Sequence, residues 1–245
     1  MSQPIVELKD VHKDYQQGKL EVKAVNGIDL TLASGEFTAI CGPSGSGKTT
    51  LLNLIGCLDT PTAGSVRVDG RDVSKLSDSA LADLRLRQIG FVFQAYNLVP
   101  VLTAFENVEL VLALQGVPAA ERKRRVLAIL EEVGLLDLQS RRPMDMSGGQ
   151  QQRVAVARAV VANPKLVLAD EPTANLDSHT GAALLQMMAD LNREHQVTFL
   201  FSTHDPMVMD FSRRIVRIVD GQIASDDVKT HGAGDRQPPT SEAQA

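Results

Sequence analysis

The segment CGPSGSGKTT, from Cys41 to Thr50, constrains the fold of this chain more than any other. It lies between two apolar segments, and its small residues have too little side-chain volume to build a core. Glycine backbone, however, can approach phosphate oxygens closely because no Cβ stands in the way. Gly42, Gly47, Lys48 and Thr49 match G-x-x-x-x-G-K-[ST], so the sequence predicts a phosphate-binding loop.

Each part of this segment has a predicted role toward a nucleotide. The helix that follows would direct its positive end at the phosphates, Lys48 would reach the outer ones as a compact charge, and the Thr49 hydroxyl would ligate magnesium. A glycine-rich linker is the alternative, but a strand pattern before the segment and a helix pattern after it favour the loop. The predicted nucleotide contacts are Gly42, Pro43, Ser44, Gly45, Ser46, Gly47, Lys48, Thr49 and Thr50.

The segment LVLADEP, Leu166–Pro172, places two acids at the end of an apolar strand. Carboxylates are costly at a buried strand end unless a cation compensates them. Asp170 would therefore be a magnesium partner, and Glu171 a general base that polarises the attacking water. Two acids at a solvent-exposed strand end are the alternative, which the nearby phosphate loop disfavours.

The segment MSGGQQQRVAVARAV contains a second small turn that opens a helix. Ser147, Gly148, Gly149 and Gln150 would bind an anion at that helix end, far along the chain from the first loop. Two separate phosphate sites suggest two half-sites, with the loop of one copy meeting the turn of another. The sequence thus predicts a two-fold dimer with nucleotide in its interface.

Composition and pattern limit the remaining possibilities. The 245 residues carry a net charge of −5, which argues against a general nucleic-acid binder, so no nucleic acid is expected as partner. There is no apolar run of a signal peptide and none long enough to span a membrane, and two cysteines suggest a reduced, cytosolic compartment.

Periodicity predicts an α/β protein. Apolar strands alternate with helices, as in a mostly parallel sheet covered on both faces, and the segments IVELKDVHKDY and GIDLTLASGEF alternate apolar and polar residues as strands do. Residues 96–162 are predicted to be helical, with a Thr103/Glu106 capping box and a stop at Gly134. A helix with Leu51, Ile55 and Leu58 on one face should follow the loop, and residues 231–245 should be disordered.

The motifs GPSGSGKTT, MSGGQ, LVLADEPTANLD and STHD, in this order and spacing, resemble the nucleotide-binding subunit of ABC transporters over about residues 4–224. The resemblance implies one ATP-binding domain over residues 4–230. Its fold would be a P-loop NTPase (RecA-like) core with a mostly parallel sheet, an N-terminal antiparallel β subdomain and an inserted α-helical subdomain. ATP and Mg²⁺ are the implied cofactors.

The resemblance also implies roles for residues that pattern alone does not assign. Tyr15 would stack on adenine, Gln94 would touch magnesium and sense a membrane partner, and Asp177, with Asn175 and Leu176, would cross between subunits. His204 would hold the γ-phosphate and the attacking water. The catalytic set is then Lys48, Gln94, Glu171 and His204, and the magnesium ligands are Thr49, Gln94 and Asp170. Met146 departs from the family's usual leucine, a change of similar volume.

A narrower resemblance, in LLNLIGCLDTPTAGSVRVDG and IGFVFQAYNLVPVLTAFENVEL, is to the subgroup that serves macrolide export and lipoprotein release. It implies a second copy and an integral-membrane permease as partners, at the cytoplasmic face of the inner membrane. A regulatory ABC ATPase that transports nothing is an alternative. A small-molecule kinase is another, although it would share only the phosphate loop.

Overall fold

The protein is described by a computed structural model that covers residues 4–18 and 20–229. Within these residues the chain forms ten strands and seven α-helices, with short 3-10 turns between some of them. The strands are β1 Val6–Gln17, β2 Leu20–Leu32, β3 Phe37–Cys41, β4 Ala63–Val68, β5 Arg71–Asp72, β6 Ile89–Val92, β7 Leu166–Asp170, β8 Thr198–Thr203, β9 Arg214–Val219 and β10 Gln222–Val228. The helices are α1 Lys48–Ile55, α2 Asp78–Gln88, α3 Ala104–Leu114, α4 Ala119–Glu132, α5 Gly148–Val160, α6 Ser178–His195 and α7 Pro206–Phe211.

The central sheet has the strand order β10-β9-β3-β8-β7-β6. All neighbours in it are parallel except β10, which runs antiparallel to β9. Every residue of β3 and β8 is buried, and for this reason these strands lack the alternation of a half-exposed strand. Cys41 pairs with Thr203, and Asp170 pairs with Ser202, so β3, β8 and β7 end at the same edge of the sheet.

The second sheet is antiparallel, in the order β2-β1-β4-β5. Its buried side chains, such as Val6, Leu8 and Val66, share one apolar cluster with Leu51 and Leu54 of α1. A second cluster, on the other face of the central sheet, joins buried residues of α3, α4, α5 and α6. The phosphate-loop helix therefore lies between the two sheets, and the helices of the middle of the chain lie on the opposite face.

The predicted helix signals are largely confirmed. The α3 capping box has both of its bonds, from Glu106 N to Thr103 Oγ1 and from Thr103 N to the Glu106 carboxylate. Gly134, just beyond α4, has a φ of 68°, a left-handed value that glycine adopts without strain. Helices also fill the predicted stretch between residues 96 and 162.

The structure corrects one prediction about α1. The helix ends at Ile55 rather than continuing to Leu58, because Cys57 turns the chain with a left-handed φ of 57°. The Leu58 side chain is consequently half exposed instead of joining the apolar face of the helix. The predicted disorder of residues 231–245 concerns a segment that lies outside the described residues.

Candidate functional site

The phosphate loop connects the last residue of β3 to the first residue of α1. Two of its glycines are required by packing. A Cβ on Gly42 would lie 2.0 Å from the carbonyl oxygen of Ile218, and one on Gly47 would lie 2.1 Å from that of Ala24. Gly47 also has a left-handed φ of 100°. The loop is thus held between β9 and β2 at distances that only glycine permits.

Lys48 is buried at the start of α1, with its ammonium group turned back toward the loop. Nζ donates to the carbonyl oxygens of Gly42 and Pro43, both at 2.9 Å. An ammonium group has three N–H donors, so one remains for an anion inside the curve of the loop. These contacts fix the position of the charge that the sequence predicts for the outer phosphates.

Thr49 and Asp170 form a pair of oxygen donors beside the loop. The Thr49 hydroxyl lies 3.4 and 3.5 Å from the two carboxylate oxygens of Asp170. Adjacent ligands at the 2.0–2.1 Å that Mg²⁺ demands lie roughly 3 Å apart. A hydroxyl and a carboxylate at this separation are hard oxygen donors, and they fit the predicted ion.

Glu171 and His204 form a direct pair at the sheet edge. One carboxylate oxygen of Glu171 lies 2.6 Å from Nδ1 of His204, and the other accepts a hydrogen bond from the Thr203 hydroxyl at 3.0 Å. Glu171 is mostly buried and has a left-handed φ of 47°, whereas the His204 side chain is 74% exposed. Such a backbone conformation is uncommon for glutamate and persists where the surroundings impose it. The pair fixes the position of the Glu171 carboxylate, the group predicted to be the general base.

A single cleft brings these groups together. It has a volume of about 650 Å³ and combines the loop, the Glu171–His204 pair and the exposed Gln94, which follows β6. The Gln94 carbonyl oxygen accepts a hydrogen bond from the Asn175 side chain at 2.9 Å. The cleft is lined by Val22, Lys23, Ala24, Pro43, Ser44, Gly45, Gly47, Lys48, Thr49, Thr50, Gln94, Glu171, Ser202 and His204.

Tyr15 lies on β1 at the rim of this cleft. It pairs across the antiparallel sheet with Val22, which lines the cleft, and its hydroxyl donates to a carboxylate oxygen of Asp59 at 2.7 Å. The Tyr15 side chain is partly exposed, so the ring can stack on a flat ligand.

The other predicted site residues lie elsewhere in the same chain. Ser147 caps α5 in a reciprocal box with Gln150, and Asp177 caps α6 by accepting from both the backbone and the hydroxyl of Thr180. A Cβ on Gly148 would lie 2.8 Å from the Tyr96 hydroxyl, and one on Gly149 would lie 2.5 Å from the Thr180 methyl carbon.

Of the described residues that line the cleft, none belongs to the turn 147–150 or to the α6 cap. The structure therefore gathers the loop, the acids, the glutamine and the histidine, but leaves the turn and Asp177 apart from them.

Sequence reasoning missed three residues that hydrogen-bond to predicted site residues or to the backbone near them. Thr203 bonds Glu171, Asp59 bonds Tyr15, and Arg158 donates to the carbonyl oxygens of Tyr96 and Asn97 at 2.9 and 2.5 Å. Burial lowers the pKa of the Arg158 guanidinium. Thr203 could have been suspected from its place inside STHD. Asp59 and Arg158 also lie in segments that the sequence analysis singled out, but nothing in those patterns marks these two residues, and only the folded contacts identify them.

Fold and site together define a phosphate-loop protein that binds and hydrolyses a nucleoside triphosphate. The sequence profile described as ABC transporter matches residues 25–174. The chain therefore belongs to the ABC transporter family, as one of its ATP-binding, ATP-hydrolysing members.

Relatives at about half identity extend this match. An uncharacterized ABC transporter ATP-binding protein of Thermotoga maritima is 51% identical and covers 89% of this chain and 93% of its own. A lipoprotein-releasing system ATP-binding protein LolD of Anaeromyxobacter dehalogenans is 50% identical over 91% of this chain and 94% of its own. A macrolide export ATP-binding/permease protein MacB of Marinobacter nauticus is 48% identical, but this chain spans only 34% of its length.

A solved structure agrees with the fold. The dimeric, post-hydrolysis ATP-binding cassette MJ0796, bound to ADP and phosphate, is 44% identical with a TM-score of 0.84, covering 91% of this chain and 98% of its own. These similarities confirm the predicted family, fold, ATPase activity and ATP ligand. The solved relative is dimeric and the MacB relative is named as an ATP-binding/permease protein, in agreement with the predicted second copy and permease. Among the described residues, no helix has both the length and the apolar character needed to cross a membrane.

Proposed function

We propose that two copies of this chain form two composite ATP sites between them. In each site the cleft of one copy binds the nucleotide through Tyr15, the Gly42–Thr50 loop and Gln94. The Ser147–Gln150 turn and Asp177 of the other copy cover its terminal phosphate. One observation carries this proposal: the turn is a helix start of the kind that can bind an anion, and none of its residues lines the cleft of its own chain. The dimeric relative of similar fold supports it.

Within such a site the residues of this chain have distinct tasks. Lys48 neutralises the outer phosphates, Glu171 polarises the attacking water, and His204 holds the Glu171 carboxylate in place while facing the γ-phosphate. Thr49, Gln94 and Asp170 would hold Mg²⁺, which supplies charge neutralisation on the phosphates when bound. Once ATP is hydrolysed and its terminal phosphate leaves, the contact between the two copies weakens.

The dimer transmits this change to an integral-membrane permease. The relatives named for lipoprotein release and macrolide export favour export, efflux or release as the process, and a peripheral position at the cytoplasmic face of the inner membrane as the place. The permease that co-purifies from membranes is the reagent for the test. Its candidate cargo should stimulate the ATPase of the reconstituted complex, whereas a regulatory ATPase would not respond to any transported molecule.

A negative charge introduced at residue 147, in the turn, tests the composite site. Aspartate caps helices as well as serine does, so Ser147→Asp keeps the start of α5 while adding a negative charge toward the partner's γ-phosphate. In a Glu171→Gln background, the unaltered turn should give an ATP-dependent dimer in sedimentation, and Ser147→Asp should remain monomeric. Its affinity for ADP should not change, because ADP would contact only the cleft.

The matched control is Thr103→Asp. Thr103 heads the other capping box, on α3, and does not line the cleft. This variant should dimerise normally with ATP. A Ser147→Asp chain that still dimerises would refute the composite site.

A further inference from the structure

Asp59 joins the nucleobase side of the cleft to the phosphate-loop helix. Its backbone N–H donates to the carbonyl oxygen of Asn53 in α1 at 3.3 Å, so the residue is attached to the end of that helix. Its side chain reaches in the opposite direction, to β1, where it accepts hydrogen bonds from Tyr15 and from Lys13. No motif that identified the site contains this aspartate.

Both carboxylate oxygens of Asp59 accept hydrogen bonds. One oxygen accepts from Lys13 Nζ at 2.6 Å and from the backbone N–H of Thr60 at 2.7 Å, while the other accepts from the Tyr15 hydroxyl at 2.7 Å. Partial burial alone would raise the pKa of Asp59, but the hydrogen bonds from Lys13 and Tyr15 outweigh it and hold that pKa below its usual value. The group is therefore ionised at neutral pH, and all of its partners donate.

The Tyr15 ring is oriented as a consequence. Burial, followed by the bond to Asp59, raises the pKa of Tyr15, so the phenol keeps its proton and acts as a donor. Lys13 Nζ lies over the ring, 5.0 Å from its centroid, and covers one face. The other face is the one that a flat ligand can use.

We infer that Asp59 is a positioning residue for the nucleobase: it holds Tyr15, through the hydroxyl, at a fixed place relative to the loop that binds the phosphates. This inference rests on the proposed role of Tyr15 in stacking on the base. A restrained ring loses less conformational entropy when a ligand stacks on it, and the gain appears as affinity. The ligand class that benefits is a nucleotide, because a phosphate chain without a base never meets the ring.

The contribution is predicted to be the same in the bound ground state and during hydrolysis, since the base takes no part in the chemistry. Loss of the Asp59 bonds should therefore raise KM for ATP and leave kcat near its original value.

The test compares ADP with inorganic pyrophosphate, measured by calorimetry for ADP and by competition against ADP for pyrophosphate. In Asp59→Asn an NH₂ group replaces one of the two carboxylate oxygens and the negative charge is lost, so the separate bonds that Lys13 and Tyr15 donate to the two oxygens cannot both persist. The dissociation constant for ADP should rise about three- to tenfold, the effect of freeing one side chain, while that for pyrophosphate stays constant. Tyr15→Phe keeps the ring but removes the donor, and it should show the same loss.

The two changes should not add. If Asp59 acts through the Tyr15 hydroxyl, the double variant should bind ADP as the single variants do. The matched control is Asp69→Asn, because Asp69 accepts from Lys165 in the same way and its side chain is 26% exposed against 27% for Asp59. Asp69 lies after β4 and Lys165 before β7, at the opposite edge of the sheet from the cleft, and this variant should bind both ligands normally.

The outcomes separate this inference from the proposed function. Tyr15→Ala with unchanged ADP affinity would refute the base contact, and the inference with it. A weakened Tyr15→Ala beside a normal Asp59→Asn would refute the positioning role alone. Equal weakening of ADP and pyrophosphate by Asp59→Asn would place the effect in the phosphate loop, which also overturns the inference.

Discussion

At the scale of single residues, the arrangement of Glu171 decides what chemistry the cleft can perform. Its carboxylate is mostly buried and meets two hydrogen-bond donors, Thr203 on β8 and His204 just beyond it. Both follow from parallel strands that end together, since the residue after β7 necessarily faces the residues that end β8. The carboxylate that we propose as the base is thus positioned by the sheet.

Glu171→Gln tests this assignment. The amide keeps the shape of the side chain but cannot take a proton, so turnover should fall by about 10²–10⁴-fold, the usual value of general-base catalysis. ADP affinity should be retained, and ATP should trap a dimer. Phosphate release under saturating ATP is the measurement.

A second Glu–His pair supplies the control. Glu132 lies 2.7 Å from Nε2 of His195 on the surface, away from the cleft. Glu132→Gln should hydrolyse ATP at the normal rate. Normal hydrolysis by Glu171→Gln would mean that another group is the base.

The residues that sequence reasoning could identify are those whose type is dictated by chemistry. Gly42 and Lys48 belong to a spacing that phosphate binding requires. Glu171 follows a buried strand, where a carboxylate is costly unless a functional partner compensates it. Asp59 could not be found in this way. An aspartate after a helix is common, and its value here comes from a tyrosine 44 residues away that folding brings within 2.7 Å.

At the scale of secondary-structure elements, the sequence predicts the helices and strands whose apolar periodicity is strong and misses those whose periodicity is weak. Helix α2 was not predicted, because Leu81 and Leu84 are its only buried residues and make no visible stripe. Strand β10 was missed as well, since it lies at the sheet edge and none of its residues is buried. Burial on both faces explains why β3, β7 and β8 were evident from sequence.

The junction between the α5 and α6 helix starts yields a packing prediction. In Gly149→Ala the new Cβ would lie 2.5 Å from the Thr180 methyl carbon. That methyl cannot easily move, because the Thr180 hydroxyl is bonded to Asp177 at 2.6 Å. We expect a loss of about 1–3 kcal/mol in the free energy of unfolding, the usual cost of overpacking. Urea denaturation measures it.

Thr180→Ser supplies the matched rescue. Serine lacks the methyl group but keeps the hydroxyl that bonds Asp177, so the double variant should regain most of the lost stability. If the double variant is as unstable as Gly149→Ala, the contact is not the cause. If Gly149→Ala loses nothing, the turn is more pliable than the structure indicates.

At the scale of the whole molecule, Arg214 on β9 connects the two sheets. Its guanidinium donates to the Thr31 carbonyl oxygen of β2 at 2.8 Å, to Glu36 at 3.0 Å, and to both carboxylate oxygens of Asp226 on β10. Hydrogen bonds from Arg214 lower the pKa of Asp226 despite its partial burial. The edge strand, the central sheet and the antiparallel sheet thus meet at one side chain.

Asp226→Asn should therefore destabilise the fold in a pH-dependent way. Because the folded-state pKa of Asp226 is lowered, the stability it confers is present above the unfolded-state pKa of about 4 and is lost as pH falls through the folded value. The unaltered chain and the variant should differ in free energy of unfolding at pH 7, and the difference should shrink as the pH falls below about 4.

Asp227→Asn, on the neighbouring residue, is the control. Asp227 accepts from the Ser225 hydroxyl and is expected to contribute little at either pH. A gap between Asp226→Asn and the unaltered chain that stays constant down to acid pH would show that the ion pair is not the source.

Helix α5 extends this connectivity from the turn to the cleft. The buried Gln152 donates to the Pro172 carbonyl oxygen beside Glu171 at 2.9 Å, and Arg158 holds the backbone that follows Gln94. Helix α5 is therefore hydrogen-bonded both to the backbone next to Glu171 and to the backbone that follows Gln94. These contacts join residues that are far apart in the sequence, so no local sequence pattern predicts them.

The separation of cleft and turn within one chain has a genetic consequence. If every ATP is enclosed by parts from two molecules, an altered chain disables a site to which an unaltered chain also contributes. In a cell that makes normal and Lys48→Ala chains in equal amounts and pairs them at random, only about a quarter of the pairs would have both sites intact. Half of the pairs would keep one intact site, so such an allele should behave as dominant if turnover needs both sites, with a severity that follows the expression level of the altered chain.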